Sequence, residues 1–395
     1  MKVYIITRIS FPNGMASAQR IRCYMDILNG GGIECELLIY HHVFRNCSSE
    51  LYSKQTGEHN HMPFRYIGGV PSSTHNLMSF VWNRFLDEYK LVNYIKQNFH
   101  KGDVALYYPI RDAKMSIMMC KLVHQLGGKF VYELCELPGI IETRKIFNKR
   151  KMIEKKLFPK CDGIIPISDS LTQYVKQFTT HSCKYLKIPI LVDFEKYDLE
   201  DKSLEAEVPY IFHAGTLTEQ KDGILGMIEA FGEVRKKLTT PLKFICTGDV
   251  NSSPHVVEIQ QLITKYQLEN DFIFVGYLRH EEIQEYLQKA SLVIINKNVS
   301  IQNQYCFSTK LGEYMAAGKA IVITRVGEAM NWLTDGKDAC VVEPGDTIQL
   351  VNAITEMITN ENQRKQLGDN ARLLCKKAFD YRNYINVFKE YFHSL

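Results

Sequence analysis

The 395-residue sequence lacks any apolar run of the ~18 residues that a transmembrane helix needs. It also lacks the features of a secretory signal peptide, because its amino terminus has one lysine, a short apolar stretch and no small-residue cleavage site. The opening VYIIT instead is typical of a buried first strand. We therefore expect a cytoplasmic protein, with the inner face of the cell membrane as the alternative place of action.

Several motifs of common enzymes are also missing. There is no C-x-x-C, H-x-x-x-H or D-x-D spacing, so the sequence predicts no metal site. No G-x-G-x-x-G follows the first strand and no G-x-x-x-x-G-K-[ST] occurs, which argues against nicotinamide oxidoreductases and P-loop ATPases. The eleven cysteines are scattered singly, which favours reduced thiols inside a core. We predict a protein without a cofactor.

What is present is the composition of an ordinary globular protein, 45% hydrophobic and 23% charged. The length exceeds what one hydrophobic core usually serves, so two domains are expected. The net charge is +4, and we expect no nucleic-acid partner. The positive charge is concentrated in the first half, most densely in TRKIFNKRKMIEKKLFPK (residues 143–160). This stretch fits a helix resting on anionic lipid headgroups or on an acidic acceptor, and it equally fits a solvated helix whose apolar side faces the core.

Short β-branched runs alternate with helical patterns along most of the chain, which predicts parallel α/β sheets. The pattern runs through residues 1–195, breaks at a charged connector, and restarts over residues 196–375. The sequence thus predicts two doubly wound Rossmann-like domains, with a terminal helix over residues 376–395 packing back on the first. Ligands bind outside the carboxyl ends of such strands, so the function should lie at these edges.

The first segment with chemical character is YIFHAGTLTEQKDG (residues 210–223). A predicted strand ends at His213, Gly215 allows a close backbone approach, and Lys221 and Asp222 stand just before a helix. Amide groups at a helix amino end together with a lysine form an anion site. The alternative is an exposed lysine in a loop.

The second segment is FSTKLGEYMAAG (residues 307–318). Ser308 and Thr309 can cap a helix whose exposed amides, together with Lys310, face an anion. Glu313 lies one turn further on the same helical face and is suited to accept hydrogen bonds from a ribose diol. Alternatively, Glu313 only favours the helix dipole.

Four blocks of the second half follow one another in the order HAGTLTEQKDG, FICTGD, FVGYLRHEEIQEYLQKASLVII and FSTKLGEYMAAGKAIV. In this order and spacing they resemble the donor domain of retaining glycosyltransferases of family four, the group 1 glycosyltransferases. The first half resembles the family more loosely, through a glycine-bearing loop after the first strand, GGIECELLIY, ISDSL and LKIPILVDFEKY. The resemblance implies the GT-B fold, in which two Rossmann-like domains face each other across a cleft.

The resemblance also implies roles for individual residues of the second half. Lys221 matches a phosphate-contacting lysine, and Ser308, Thr309 and Lys310 match a loop over the diphosphate. Glu313 matches the second glutamate of an E-x(7)-E motif, the ribose ligand. The chain departs from the family at Tyr305, where the first glutamate is expected, and at Thr216, where many members have arginine.

Further positions match the loops around the donor and acceptor. The donor-binding matches are Gly14, Gly215, Thr216, Gly248, Asp249, Tyr277 and Leu278. In VYELCELPG, Glu133 and Glu136 are candidates for the acceptor side, where a carboxylate can serve as base. Either glutamate can equally be the structural partner of a nearby Arg or Lys. We name Lys221, Glu313 and Glu136 as candidate catalytic residues.

The implied reaction is transfer of a sugar from a nucleotide-sugar donor to a hydroxyl of a glycan or lipid-linked acceptor, with retention of configuration. Lysine, amides and a helix dipole would stabilise the departing diphosphate in place of a metal. A GT-B nucleotide-sugar epimerase and a catalytically silent glycan-binding protein remain the alternatives. Surface polysaccharide biosynthesis is the expected context.

Overall fold

The structure is a computed structural model that describes residues 1–12, 14, 16–45, 54–108, 112–139, 149–197 and 206–395. By internal packing the chain divides into two units: Met1–Leu191 together with Tyr381–Leu395, and Val192–Asp380. The domain limits predicted from the sequence, at residues 195 and 375, lie a few residues from these limits.

The first unit is built from short strands and helices in alternation. Its strands are β1 (Val3–Thr7), β2 (Cys35–Ile39), β3 (Val43–Arg45), β4 (Thr56–His59), β5 (Met62–Tyr66), β6 (Ser72–Thr74), β7 (Val104–Tyr108), β8 (Lys129–Leu134), β9 (Gly163–Pro166) and β10 (Lys184–Tyr185). Its helices before residue 192 are α1 (Ala16–Gly30), α2 (Leu77–Asn98), α3 (Ala113–Gln125), α4 (Lys149–Met152) and α5 (Asp169–Lys176). A π-helical turn over Ile153–Leu157 and a 3-10 turn over Phe158–Lys160 continue α4.

The strands form an eight-stranded sheet in the order β10-β9-β8-β7-β1-β2-β5-β4, and β3 pairs separately with β6. All pairs in the large sheet are parallel except β4 with β5. The strands predicted at residues 3–7, 104–110, 129–135 and 162–168 are present, with ends up to two residues shorter or, at residues 109 and 110, outside the described chain. The small strands β3 to β6 were not predicted, because they are short and lack an apolar run.

Right-handed crossovers decide which face of the sheet each helix covers. The chain moves from β1 to β2 through α1, but in the opposite direction from β5 through β7 and β8 to β9. Helices α2 to α4 therefore cover the face opposite to α1. The last helix, α14 (Ile385–Ser394), packs on α1, and Phe388, Tyr391 and Phe392 from α14 are buried in the core of the first unit.

The second unit is a doubly wound six-stranded parallel sheet in the order β13-β12-β11-β14-β15-β16. Its strands are β11 (Tyr210–His213), β12 (Lys243–Cys246), β13 (Phe272–Phe274), β14 (Leu292–Ile295), β15 (Ile321–Thr324) and β16 (Cys340–Val342). Its helices are α6 (Glu219–Asp222), α7 (Ile224–Lys237), α8 (Val256–Tyr266), α9 (His280–Lys289), α10 (Ile301–Tyr305), α11 (Thr309–Ala316), α12 (Thr347–Thr359) and α13 (Glu361–Ala378), and α14 of the first unit is Ile385–Ser394.

The pattern of buried residues explains why these segments become strands. In β1, β2 and β7 every residue is buried, as expected for parallel strands covered by helices on both faces. The cysteines among the described residues are free thiols, most of them buried. Within the described ranges no helix is both long and apolar enough to cross a bilayer.

Candidate active site

The two predicted anion-binding segments meet at the carboxyl edge of the second sheet. β11 ends at His213, and the following loop leads through Gly215 into α6. Helix α11 begins at Thr309, in the connection that follows β14. Because β11 and β14 are parallel neighbours, their carboxyl ends lie at the same edge. Two segments far apart in sequence therefore form one site.

The centre of this site is an ion pair between Lys310 and Asp222. Nζ of Lys310 lies 2.6 Å from Oδ1 of Asp222, whose side chain is almost fully buried. The other carboxylate oxygen accepts hydrogen bonds from the backbone amide and the hydroxyl of Thr216, at 2.8 and 3.0 Å. Burial alone would raise the pKa of Asp222, but the neighbouring Lys310 outweighs it and holds the pKa well below its usual range. Asp222 is therefore ionised and fixes the lysine.

His213 is the third member of this group. Its Nδ1 lies 2.9 Å from the carbonyl oxygen of Ile294, which requires that Nδ1 carries the proton and donates. The other nitrogen, Nε2, then faces Nζ of Lys310 at 3.5 Å as an acceptor. Burial and the neighbouring Lys310 lower the pKa of His213, so the ring is neutral. The positive charge of the group stays on the lysine.

Helix α6 is held in place by residues of the connection after β14. The amide of Asn298 donates to the carboxylate of Glu219 at 2.7 Å, and the same carboxylate accepts from the backbone amide of Leu225 at 2.9 Å. The buried amide of Asn303 donates to the carbonyl oxygen of Gln220 at 3.0 Å. These bonds fix the short helix that directs Asp222 towards the lysine.

The amino end of α11 faces this group with its hydrogen-bonding groups open. Ser308 occupies the N-cap position, but its side chain makes no capping hydrogen bond, and Thr309 is already the first helical residue. The predicted capping by these two side chains is therefore wrong. Among the described residues the hydroxyl of Ser308 and the amides of Thr309 and Lys310 have no partner and are available to a ligand, whereas the amide of Leu311 donates to the carbonyl oxygen of Ser308 at 3.1 Å. Helix α11 is anchored by Tyr314, whose hydroxyl accepts from the amide of Ala214 at 2.7 Å.

Glu313 lies one turn inside α11 with its side chain 19% exposed. Burial raises the pKa of Glu313 to about 7, although nearby Lys310 acts in the opposite direction. Nδ1 of His280 lies 3.9 Å from the carboxylate, too far for a hydrogen bond. Within the described chain the carboxylate has no hydrogen-bond donor. Its capacity to accept hydrogen bonds is therefore available to a ligand.

Gly215 and Gly248 form the base of the site. A Cβ atom at Gly215 would lie 2.4 Å from Nε2 of His213 and 2.9 Å from the carboxyl of Asp222, so only glycine fits there. Gly248 has φ of 99° and donates its amide to the carbonyl of Gly276 at 2.7 Å. A larger residue at Gly215 would separate the strand end from the ion pair.

Three other residues predicted to bind the donor are Asp249, Tyr277 and Leu278. Asp249 accepts hydrogen bonds from Asn251 and Ser252 and caps a short 3-10 helix, which lowers the pKa of Asp249. Tyr277 is exposed and Leu278 is half-buried, immediately after Gly276.

Two further donor-side positions are Tyr305, which differs from the family pattern, and Lys221, which lies outside the central ion pair. Tyr305, in place of the family glutamate, is the last residue of α10 and half-buried. Lys221 is exposed on α6, whereas its neighbour Asp222 is turned inwards. Thus Lys221 is not part of the central ion pair.

In the first unit, Glu133 has a structural environment. It is buried at the end of β8, with one oxygen 2.8 Å from Nε of Arg20 and the other accepting from the hydroxyl of Tyr24 at 2.7 Å. The thiol of Cys135 donates to it at 2.9 Å. Arg20 also donates to the carbonyl oxygens of two residues near the end of the unit, Ile188 and Pro189. The sequence left two roles open for Glu133, a base on the acceptor side or a structural partner of a cation. The structure shows the structural ion pair with Arg20.

The remaining candidates of the first unit lie at the same edge of its sheet. Glu136 is exposed two residues after β8 and therefore accessible to a substrate. Gly14 lies in the loop before α1, where a Cβ atom would approach both the carbonyl of Ser10 and the side chain of Ala18 to 2.7 Å. The glycine is thus needed for close packing of this loop on the helix.

The basic segment predicted over residues 143–160 is described from Lys149 onwards; residues 143–148 lie outside the described chain. Ile153, Leu157 and Phe158 are buried in the first unit, and the basic side chains point outwards. The described part therefore turns its apolar side to the core.

Two residues of the site were not singled out from the sequence. His213 and Asp222 were read only as the end of a strand and as a loop residue. The signal in the sequence was only weak, since His213 ends an apolar run and Asp-Gly is a common turn dipeptide. No group of three or more His, Cys, Asp or Glu that could hold a metal occurs in the ranges that the structure describes.

Most of the second unit matches the model of a known protein family. Residues 196–374 match the family described as glycosyl transferases group 1. An uncharacterised glycosyltransferase of Methanocaldococcus jannaschii is 24% identical over 295 residues, which are 72% of this chain and 70% of that protein. The lipopolysaccharide 1,2-N-acetylglucosaminetransferase of Salmonella typhimurium is 24% identical over 193 residues, about half of either chain (48% and 49%).

Solved structures with the same fold cover the whole chain. Sucrose-phosphate synthase of Thermosynechococcus elongatus has a TM-score of 0.76 at 16% identity, over 100% of this chain and 99% of that one. Anabaena HepE, solved in complex with UDP, has a TM-score of 0.69 at 17% identity over the full length of both chains. The predicted fold class, α/β with the GT-B architecture, is confirmed. The resemblance of the second half to group 1 glycosyltransferases is confirmed by the family match.

Proposed function

We propose that the protein is a retaining glycosyltransferase of family four. It transfers a sugar from a nucleotide-sugar donor to a hydroxyl of a glycan or lipid-linked acceptor. The observation that carries this proposal is the arrangement of Lys310, Asp222 and Glu313 at the amino end of α11. The match of residues 196–374 to group 1 glycosyltransferases supports it.

The diphosphate of the donor binds at the amino end of α11. The amides of Thr309 and Lys310 at the start of the helix carry partial positive charge and can donate to such an anion. Lys310 supplies a full charge, and its ammonium has three N–H groups, of which Asp222 and His213 take two. The third N–H is available to a phosphate oxygen. Asp222 thus positions the lysine without competing for all of its donors.

Glu313 binds the ribose of the nucleotide. Its carboxylate lies on the same face of α11 as Lys310, accepts no hydrogen bond within the described chain, and is partly accessible. Two adjacent ribose hydroxyls can donate to its two oxygens. Such bonds stabilise the ionised carboxylate and repay the cost of its burial.

In the reaction, the bond between the anomeric carbon and the diphosphate breaks, and a bond to the acceptor oxygen forms on the same face. Negative charge develops on the departing diphosphate, where Lys310 and the helix amides stabilise it without a metal. Glu136, which is exposed at the end of β8, is the candidate to receive the proton of the acceptor hydroxyl. Glu133 cannot take this role while it binds Arg20.

The proposed context is the synthesis of a surface polysaccharide at the cytoplasmic side of the cell membrane. Two curated relatives support this context by their names, the Salmonella lipopolysaccharide enzyme and a capsular polysaccharide glycosyltransferase of Staphylococcus aureus. The basic residues of segment 143–160 would contact anionic lipid.

A thermal-shift screen against UDP-, GDP-, ADP- and TDP-sugars tests the donor class, since a ligand that binds the native state raises Tm. The selected donor is then incubated with and without a mixed glycan acceptor. We expect a glycosylated product with retained anomeric configuration by NMR. An epimerised sugar in the acceptor-free sample, or no nucleotide binding, would contradict the proposal.

A further inference from the structure

Helix α2 exposes apolar side chains along the outer face of its first half. Each of these residues has another member of the set three or four positions away, so they form one stripe along the helix. They are Leu77 (56% exposed), Met78 (79%), Val81 (41%), Trp82 (66%), Phe85 (61%) and Tyr89 (65%). Large side chains exposed in such a continuous stripe mark an interaction surface, unlike isolated exposed apolar residues.

The same part of α2 is held on the first unit by polar contacts. Asp87 is fully buried and binds His42 through the ring nitrogen Nδ1 at 2.7 Å and the backbone amide at 3.1 Å. Arg84 reaches the carboxylate of Asp112 at 2.9 Å. Only from Leu91 onwards does the helix turn large aliphatic side chains fully into the core. The exposed stripe is therefore not needed to attach the helix.

The elements beside α2 carry positive charge. Asp112, which Arg84 contacts, is the N-cap residue of α3, and α3 packs against the turn Ile153–Leu157. These elements cover the same face of the sheet as α2, as the crossovers require. The exposed basic residues of the three elements are Lys90, Lys114, Lys121, Arg150, Lys151, Lys155, Lys156 and Lys160.

These elements contribute few acids of their own to the surface. Asp87 is buried, and Glu88 and Glu154 are each paired with an arginine one turn away, Arg84 and Arg150. No acid on the described parts of α2, α3 or residues 149–160 is classed as exposed. An apolar stripe next to a predominantly basic surface is complementary to the interface of an anionic bilayer, with acyl chains below acidic headgroups.

A second copy of the chain fits this surface less well. A twofold interface sets one patch against the same patch of its partner. The basic residues beside the stripe would then face one another, and like charges repel. Trp82 and Tyr89 combine an apolar ring with a polar group, the combination enriched where membrane meets water.

We propose that the outer face of α2, from Leu77 to Tyr89, inserts into the surface of anionic membranes, with the basic faces of α3 and residues 149–160 on the headgroups. The inference does not rest on the proposed reaction, because membrane binding requires no donor. To the membrane contact proposed for the basic segment, the stripe on α2 adds an apolar anchor.

Trp82 is a native reporter for this contact. The chain has two tryptophans, so Trp332→Phe leaves Trp82 as the only one. Vesicles of phosphatidylcholine with phosphatidylglycerol should shift the Trp82 emission to shorter wavelength and protect it from acrylamide. Vesicles of phosphatidylcholine alone should have a much smaller effect, and added salt should weaken the response. Unchanged emission with anionic vesicles would overturn the proposal.

Substitutions separate the apolar anchor from the charge. Trp82→Ser and Phe85→Ser should each lower vesicle binding in sedimentation by about tenfold, whereas the control Ile348→Ser, at an exposed site of the second unit, should leave it unchanged. Joint replacement of Lys151, Lys155 and Lys156 by Gln should also weaken binding. Full binding by the serine variants or by the glutamine variant contradicts the proposal, as does a vesicle-independent dimer through α2 in analytical ultracentrifugation.

Discussion

Each unit of the molecule places a glutamate beside a cation at the carboxyl edge of its sheet, and the two glutamates are used differently. Glu133 in the first unit is buried and receives hydrogen bonds from Arg20, Tyr24 and Cys135. Glu313 in the second unit receives none within the described chain and remains partly accessible. A carboxylate whose bonds are all satisfied by protein groups holds the fold together, whereas one without them is available to a ligand.

The pKa of Glu313 expresses this difference. Burial without donors raises its pKa to about 7, above the value of about 4.3 for an unfolded chain. The contribution of Glu313 to folding stability is therefore fully present below about pH 4 and is lost as the pH rises through about 7. A carboxylate whose ionisation destabilises the fold in this way is typical of a functional site rather than of a structural ion pair.

The largest effect is expected at the structural pair. Arg20→Met leaves Glu133 buried without its cation and should lower the free energy of unfolding by about 3–5 kcal/mol. Arg150→Met removes an exposed ion pair with Glu154 and should cost about 1 kcal/mol or less. Urea denaturation measures both. Equal losses of unfolding free energy in the two variants would show that the pair of Arg20 and Glu133 is not a structural contact.

The next effect concerns the ligand-binding glutamate. Glu313→Ala should weaken binding of the preferred nucleoside diphosphate by about 1–3 kcal/mol, because the ribose hydroxyls lose their acceptor. The free energy of unfolding should not fall comparably, since no protein group is left without a partner. Calorimetry with Glu285→Ala, at an exposed position of α9, as the control measures the difference. Unchanged affinity would remove Glu313 from the ribose.

The pH dependence of binding sharpens the same assignment. If ribose hydroxyls donate to Glu313, the ligand favours the ionised form and lowers its pKa. Affinity should therefore rise as the pH increases through about 7, by at most about tenfold per pH unit, and level off above it. The ratio of wild-type to Glu313→Gln affinities between pH 6 and 8 cancels the ionisation of the phosphate. A constant ratio would contradict the assignment.

The smallest effect is expected at Lys221. Its side chain is exposed, so Lys221→Ala should weaken diphosphate binding by only about 0.2–1 kcal/mol, with a marked dependence on salt. Calorimetry at two salt concentrations measures this. A loss larger than that of Glu313→Ala would mean that Lys221, not the site centred on Lys310, dominates donor binding.

The sequence allowed the fold to be predicted because parallel strands are marked by local, continuous apolar runs. VYIIT, VALYY and GIIP are buried along their whole length, and a short continuous apolar run identifies such segments without knowledge of their neighbours. The strands β4 and β6 alternate or are largely exposed and carry no such signal. The glycosyltransferase resemblance similarly followed from ordered blocks of sequence.

The details of the site depended on which way each side chain turns. Lys221 and Asp222 are neighbours, and only the path of α6 decides that the acid faces inwards and the lysine outwards. Ser308 is an N-cap by position but makes no capping bond. Glu133 and Glu136 lie three residues apart in one segment, yet Arg20 from a distant helix makes one of them structural. Such contacts join residues far apart in sequence, and a local pattern cannot predict them.

The most direct test of the central claim is a crystal structure of the protein with the nucleoside diphosphate that the thermal-shift screen selects. We predict phosphate oxygens within hydrogen-bond distance of Nζ of Lys310 and of the first amides of α11, and both ribose hydroxyls on the carboxylate of Glu313. A nucleotide bound elsewhere, or a ribose that leaves Glu313 without a contact, would contradict the account.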